Sequence, residues 1–137
     1  MAVTPTQVLI VEDHDDSARS LSKLLDHHGY HTVIAATYRD AVQLARSQKF
    51  DIAVCDIGLP DGDGCELLAE LQAMYPVKGM ALTGYGMPDD IERCKRAGFG
   101  ACVVKPCTIE DLLGAIQQVS QVHLDSDSAH GPSEAIL

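Results

Sequence analysis

Ile52-Ala53-Val54-Cys55-Asp56-Ile57-Gly58-Leu59-Pro60 holds four apolar residues in a row, then a carboxylate, then the turn formers Gly58 and Pro60. The apolar run does not alternate with polar residues, which is the pattern of a strand covered on both faces, as in a parallel sheet. Such a strand places Asp56 at the carboxyl edge of the sheet, where open α/β sheets bind their ligands. Asp56 also reads as a turn residue ahead of Gly58 and Pro60. A carboxylate directly after a buried strand at a binding edge favours function.

Working outward, similar runs recur at Val8-Leu9-Ile10-Val11, Thr32-Val33-Ile34-Ala35, Met80-Ala81-Leu82 and Cys102-Val103-Val104. Between and after them lie stretches of helical spacing: Ala18, Leu21, Leu24, Leu25 and His28; Ala41, Leu44 and Ala45; Leu67, Leu68 and Leu71; Ile91, Cys94, Lys95 and Gly98; Leu112, Leu113, Ile116 and Val119. The order is therefore βα repeated five times. Gly29 suits the residue after the first helix, Pro88 the start of the fourth, and Thr108 with Asp111 a capping box for the fifth. Right-handed crossovers then predict an α/β doubly wound parallel sheet of five strands, with functional residues just after the strands.

One domain over residues 6–122 is expected, since domains cluster near roughly 100–150 residues and the chain has 137. Beyond Val122 the sequence HLDSDSAHGPSEAIL loses its helical stripe and turns rich in Ser and Asp, so residues 123–137 are expected to form a flexible tail. Twenty acidic against ten basic residues give a net charge of −10, which disfavours nucleic acid and anionic membranes as partners. Met1 to Ile10 show no signal-peptide pattern, and no run of about 18 apolar residues occurs. The protein reads as cytoplasmic, without membrane insertion. The five cysteines contain no C-x-x-C pair, and reduced thiols are expected.

The strand ends collect an uneven, chemically coherent set: Glu12 and Asp13, then Asp56, Thr83 and Lys105. Three carboxylates brought together repel, and a hard divalent cation with oxygen ligands relieves them; Mg²⁺ with several waters suits so open a cluster. Glu12-Asp13 also reads as a solvated acidic loop, with Asp15 or Asp16 capping the first helix. An Asp carboxylate can attack phosphorus and form an acyl phosphate, provided charge is compensated around the phosphoryl oxygens. Thr83 and Lys105 could compensate it. His14 reads as a solvated loop residue. Asp61, Asp63, Gly64 and Glu70 fall at EF-hand positions, yet the first ligand position would be Leu59, so that calcium reading fails.

Together these residues resemble the response-regulator receiver family of two-component phosphorelays, through Glu12-Asp13, Cys55-Asp56-Ile57-Gly58-Leu59-Pro60, Asp61-Gly62-Asp63-Gly64, Thr83-Gly84 and Lys105-Pro106. The resemblance spans about Thr6 to Val122 and implies a flavodoxin-like strand order 2-1-3-4-5. It implies Asp56 as phosphoacceptor, with Glu12, Asp13, Asp56 and the Gly58 backbone carbonyl around Mg²⁺. It further implies Thr83 as switch hydroxyl, Lys105 as phosphoryl partner and a cis peptide at Pro106. The donor would be a histidine kinase or histidine phosphotransfer domain, and the downstream partner is unknown. The chain would be a stand-alone regulator or the receiver of a larger protein such as a hybrid sensor kinase.

Cys102 stands where the family has its aromatic switch residue, three positions before Lys105, and a thiol has little bulk to exchange between two positions. An aspartate-nucleophile phosphatase would carry a second carboxylate two residues after Asp56, where this chain has Gly58. A turnover enzyme is therefore not expected; phosphorylation followed by slow self-hydrolysis is. A flavodoxin-like cofactor module would need a phosphate cradle after the first strand, where carboxylates stand instead. The remaining alternative is a degenerate receiver that works only as a protein-interaction module.

Overall fold

The apolar runs become strands and the striped segments helices. The computed structural model describes residues 5–84, 88–105 and 107–121. In chain order its elements are β1 (Gln7–Val11), α1 (Asp15–His27), β2 (His31–Ala35), α2 (Tyr38–Ser47), β3 (Ile52–Asp56), β4 (Gly58–Leu59), β5 (Gly62–Asp63), α3 (Gly64–Met74), β6 (Lys78–Thr83), α4 (Pro88–Ala97), β7 (Phe99–Val104) and α5 (Ile109–Gln121). The expected tail over 123–137 lies outside the described residues, as does Pro106, so the expected cis peptide there falls outside them too.

Five strands pair in parallel in the order β2-β1-β3-β6-β7, which is the expected 2-1-3-4-5 once the small β4-β5 hairpin is set aside. Successive residues of a strand face opposite sides, so each strand feeds two cores. Leu9, Val11, Ala53, Cys55 and Ala81 pack with Ala41 and Ala45 of α2, Leu67, Leu68 and Leu71 of α3 and Cys94 of α4. Val8, Ile10, Val54, Met80 and Val103 pack with Leu21 and Leu25 of α1 and Leu112, Ile116 and Val119 of α5. Truncating a side chain as enclosed as Leu25 or Ile116, both fully buried, costs about 2–5 kcal/mol.

The helix ends follow the local chemistry. Gly29, after the α1 cap residue His28, has φ +93°, a conformation that glycine adopts without a Cβ penalty. Thr108 and Asp111 close a reciprocal capping box: the Asp111 amide donates to Thr108 Oγ1 at 3.0 Å and the Thr108 amide to Asp111 Oδ2 at 3.3 Å. The start of α1 differs from expectation. Its N-cap is His14, without a side-chain cap bond, and Asp15 and Asp16 occupy the first turn, where carboxylates favour the positive end of the helix dipole.

The chain runs from β1 outward to β2 and then crosses back to β3 on the other side of β1. That reversal opens a crevice beyond the carboxyl ends of β1 and β3. Register places Val11 beside Cys55 and Asp56 beside Leu82, so the residues that follow β1, β3, β6 and β7 meet at one edge.

Candidate functional site

Glu12 leaves β1 with its amide bonded to the Ala35 carbonyl at 3.0 Å, which prolongs the ladder and turns the side chain into the fold; Glu12 is 2 % exposed. Asp13 follows as an exposed loop residue, and Asp56, at the tip of β3, is half-buried. One carboxylate oxygen from each of Glu12, Asp13 and Asp56 lies within 4.8 Å of the others. Gly58 lies on the rim of a small cavity of about 200 Å³, together with Asp56, Thr83, Gly84 and Lys105.

Lys105 reaches in from the end of β7. Its amide donates to the Thr83 carbonyl at 2.7 Å, and its Nζ lies 2.7 Å from Glu12 Oε1 and 3.4 Å from Asp56 Oδ2. The other Asp56 oxygen, Oδ1, accepts from the Gly58 amide at 3.1 Å, so both oxygens are engaged and the carboxylate has a fixed orientation. Thr83 is buried at the end of β6. All five strand-end residues expected from the sequence are brought to one place.

Burial, and then the neighbouring Glu12 carboxylate, push the Asp56 carboxyl above its ordinary value, although Lys105 and the Gly58 amide pull the other way. Burial works against the Lys105 ammonium, but its bonds to Glu12 and Asp56 outweigh that and raise its pKa. Three carboxylates facing one ammonium leave an excess of negative charge. Hard oxygen donors at this spacing, open to solvent through Asp13, suit a divalent cation of the magnesium type, whose carboxylate oxygens sit at about 2.0–2.1 Å.

Two flanking features were not anticipated. The segment after Asp56 forms the antiparallel β4-β5 pair, in which Gly58 faces Asp63 and Leu59 faces Gly62. Asp61 caps α2 from this loop, accepting from the Tyr38 amide at 2.8 Å and the Arg39 amide at 3.2 Å. Asp63 caps α3 through Cys65 at 2.6 Å and also pairs with Arg93 of α4. The Asp63–Glu66 spacing is a capping-box signature legible in the sequence, whereas the Arg93 contact joins elements that no local pattern connects. Beside the site, a groove of about 740 Å³ runs between α1 and α5, lined by Leu21, Leu24, Cys107, Ile109 and Leu112 and opening at Glu12 and Lys105.

Cys102 lies on β7 in register with Ala81 and, through it, with Cys55. It packs against Cys94, whose thiol is pushed up to about 12 by burial and by the neighbouring Cys102 and Cys65 thiols. All five cysteines are free, and these behave as small apolar residues of the core.

Residues 8–117 match the family described as the response regulator receiver domain. The chain is 34% identical over 117 residues to the transcriptional regulatory protein PdtaR of Mycobacterium tuberculosis, covering 85% of this chain and 57% of that protein; it thus spans little more than half the length of that relative. A CheY-like receiver domain protein from Methanospirillum hungatei superposes with TM-score 0.78 at 32% identity, over 84% of this chain and 93% of that one. A response regulator from Burkholderia pseudomallei, solved with a phosphorylated aspartic acid and a calcium ion, superposes with TM-score 0.76 at 27% identity, over 82% and 66% of the two chains. With a family match over residues 8–117 and 34% identity to a relative across 85% of this chain, the chain belongs to the response regulator receiver domain family.

Proposed function

We propose that this domain is a phosphorylation-dependent switch that accepts a phosphoryl group on Asp56 from a phosphohistidine donor. The observation that carries the reading is the orientation of the Asp56 carboxylate, held between the Gly58 amide and the Lys105 ammonium. In the transfer an Asp56 oxygen forms a bond to phosphorus while the N–P bond of the donor breaks, and the departing imidazole keeps the electron pair and takes up a proton. Lys105 stands ready to neutralise the phosphoryl oxygens, and Thr83 lines the same cavity. The Burkholderia relative, with its phosphorylated aspartic acid, supports the same chemistry here.

Glu12, Asp13 and Asp56, with the Gly58 carbonyl, would hold Mg²⁺. When bound, the ion supplies positive charge against the incoming phosphoryl group and orients it. Gly58 offers no side-chain acid two residues after Asp56, so the chain has no second carboxylate there to drive turnover, and slow self-hydrolysis by water ends the signal. The domain is consumed and regenerated rather than acting as an enzyme on another substrate. The donor is a histidine kinase or a histidine phosphotransfer domain, for which the apolar groove between α1 and α5 provides a contact surface next to the acceptor. A cytoplasmic location fits this role, and among the described residues no helix is long and apolar enough to cross a membrane.

Incubation with acetyl phosphate and Mg²⁺ should add one acid-stable, base-labile phosphoryl group to the wild type and none to Asp56→Asn. Equal labelling of Asp56→Asn would remove Asp56 as the acceptor.

A further inference from the structure

The β4-β5 hairpin links the acceptor directly to α4. Asp56 Oδ1 accepts from the Gly58 amide at 3.1 Å. Gly58 is the cross-strand partner of Asp63, and the second oxygen of Asp63 pairs with Arg93 on α4. Little slack exists along this path. A Cβ on Gly64 would stand 2.5 Å from the Asp56 carbonyl oxygen, and one on Gly62 would stand 2.4 Å from the Tyr38 ring. Asp61 fixes the hairpin tip to α2 through two amides.

Of the three helices that the hairpin touches, α4 is the most weakly held. Helix α3 buries Leu67, Leu68 and Leu71, and α2 buries Ala41, Val42 and Ala45. Among the described side chains of α4 only Cys94 is buried, with Ile91 and Ala97 half-buried and the rest exposed. A helix with so few apolar anchors moves first when a polar tie changes.

We propose, resting on the reading of Asp56 as phosphoacceptor, that Asp63 and Arg93 form a latch that reports phosphorylation to α4. Forming the O–P bond turns the anionic Asp56 carboxylate into an acyl phosphate whose own oxygens are weaker acceptors for the Gly58 amide, the hairpin shifts with Gly58, and Asp63 moves off Arg93. This route needs no bulky side chain at Cys102. Arg93 and Asp63 are positioning residues, since neither touches the reacting atoms.

The test is backbone hydrogen exchange over residues 58–63 and 88–97 in the full chain, before and after treatment with acetyl phosphate and Mg²⁺, with labelling read from intact mass. Asp63→Asn keeps an oxygen to cap α3 while removing the charge, and Arg93→Gln breaks the pair from the other side. In unphosphorylated protein, both should raise α4 exchange about 2- to 5-fold, the double variant no more than either single one, and Arg93→Lys should stay near wild type. Phosphorylation should raise α4 exchange in the wild type by a similar factor and add little in the two variants. Wild-type exchange rates in the unphosphorylated variants would overturn the latch, as would variants that respond to phosphorylation like the wild type. A wild type that takes no label defeats the acceptor reading and the switch with it, while the unphosphorylated samples still report whether the hairpin and α4 are tied.

Discussion

The Lys105 ammonium lies closer to Glu12 than to Asp56, at 2.7 Å against 3.4 Å. Glu12 is 2 % exposed, so Lys105 is the partner of a buried carboxylate as well as a group aimed at Asp56, the proposed acceptor. One side chain thus joins the stability of the site to its chemistry, because a buried charge without a partner is costly.

Replacing Lys105 by Met should therefore destabilise the metal-free domain by about 1–3 kcal/mol, the range for stranding a buried acceptor; the partial exposure of Lys105 argues for the lower half. Mg²⁺ should stabilise Lys105→Met more than it does the wild type, since the ion then has no competing ammonium. Urea unfolding with and without Mg²⁺ measures both effects. An equal Mg²⁺ increment in the two proteins would show that Lys105 and the cation do not share the carboxylates.

Gly64 and Gly58 should respond unequally to a methyl group. At Gly64 a Cβ would press on the Asp56 main chain, the closest atom being 2.5 Å away, whereas at Gly58 nothing lies within 4 Å. Gly64→Ala should cost about 1–3 kcal/mol, as overpacking does, and should slow phosphorylation by shifting Asp56. Gly58→Ala should change stability by less than about 1 kcal/mol. Thermal melts of the two variants, with acetyl phosphate labelling alongside, separate the cases.

The sheet and the five strand-end residues could be read from the chain because each depends on local order: an unbroken apolar run, then a polar residue at its end. Asp56 after Ile52–Cys55 and Lys105 after Cys102–Val104 are visible that way. The Asp63–Arg93 pair is not, since its partners are thirty residues apart and meet only once α3 and α4 have packed. The hairpin was hidden for a related reason. Gly58–Leu59 and Gly62–Asp63 are two-residue strands, too short for any periodicity to register. The exchange of Asp15 or Asp16 for His14 as the α1 cap has a physical cause as well: Glu12 Oε2 accepts the His14 amide at 3.1 Å, which fixes the chain one residue before Asp15.

Alkaline pH should unfold the domain through its buried thiols. The Cys55 thiol, fully enclosed, is pushed from 9.0 up to about 12 by burial, with Cys65 and Asp56 adding to the shift, and Cys94 is raised to about 12 likewise. Above pH 9 the unfolded chain releases these protons while the folded chain keeps them. The unfolded state then binds fewer protons, so stability falls as pH rises from about 9 to 12. Urea midpoints measured between pH 8 and 11 should decline, and Cys55→Ala, though less stable at pH 8, should decline less steeply. A slope unchanged by Cys55→Ala would exclude that thiol as a source.

Asp13 should show the opposite of the usual agreement between stability and function. It is exposed, it makes no ion pair with Lys105, and one of its oxygens lies within 4.8 Å of oxygens on Glu12 and Asp56. In the metal-free domain its charge is repelled by Glu12 and Asp56, each repulsion worth about 1 kcal/mol for unit charges near 4 Å in a watery setting, with the nearby Lys105 ammonium offsetting part of it. Asp13→Asn should accordingly leave the metal-free domain as stable as the wild type or up to about 1 kcal/mol more stable. The same change removes an anionic oxygen from the proposed cation site, so Mg²⁺ affinity should drop about tenfold and acetyl phosphate labelling at fixed Mg²⁺ should slow with it. Urea melts without metal and an NMR titration with Mg²⁺ read the two quantities separately. Loss of stability together with unchanged Mg²⁺ affinity would place Asp13 in the scaffold instead of the site.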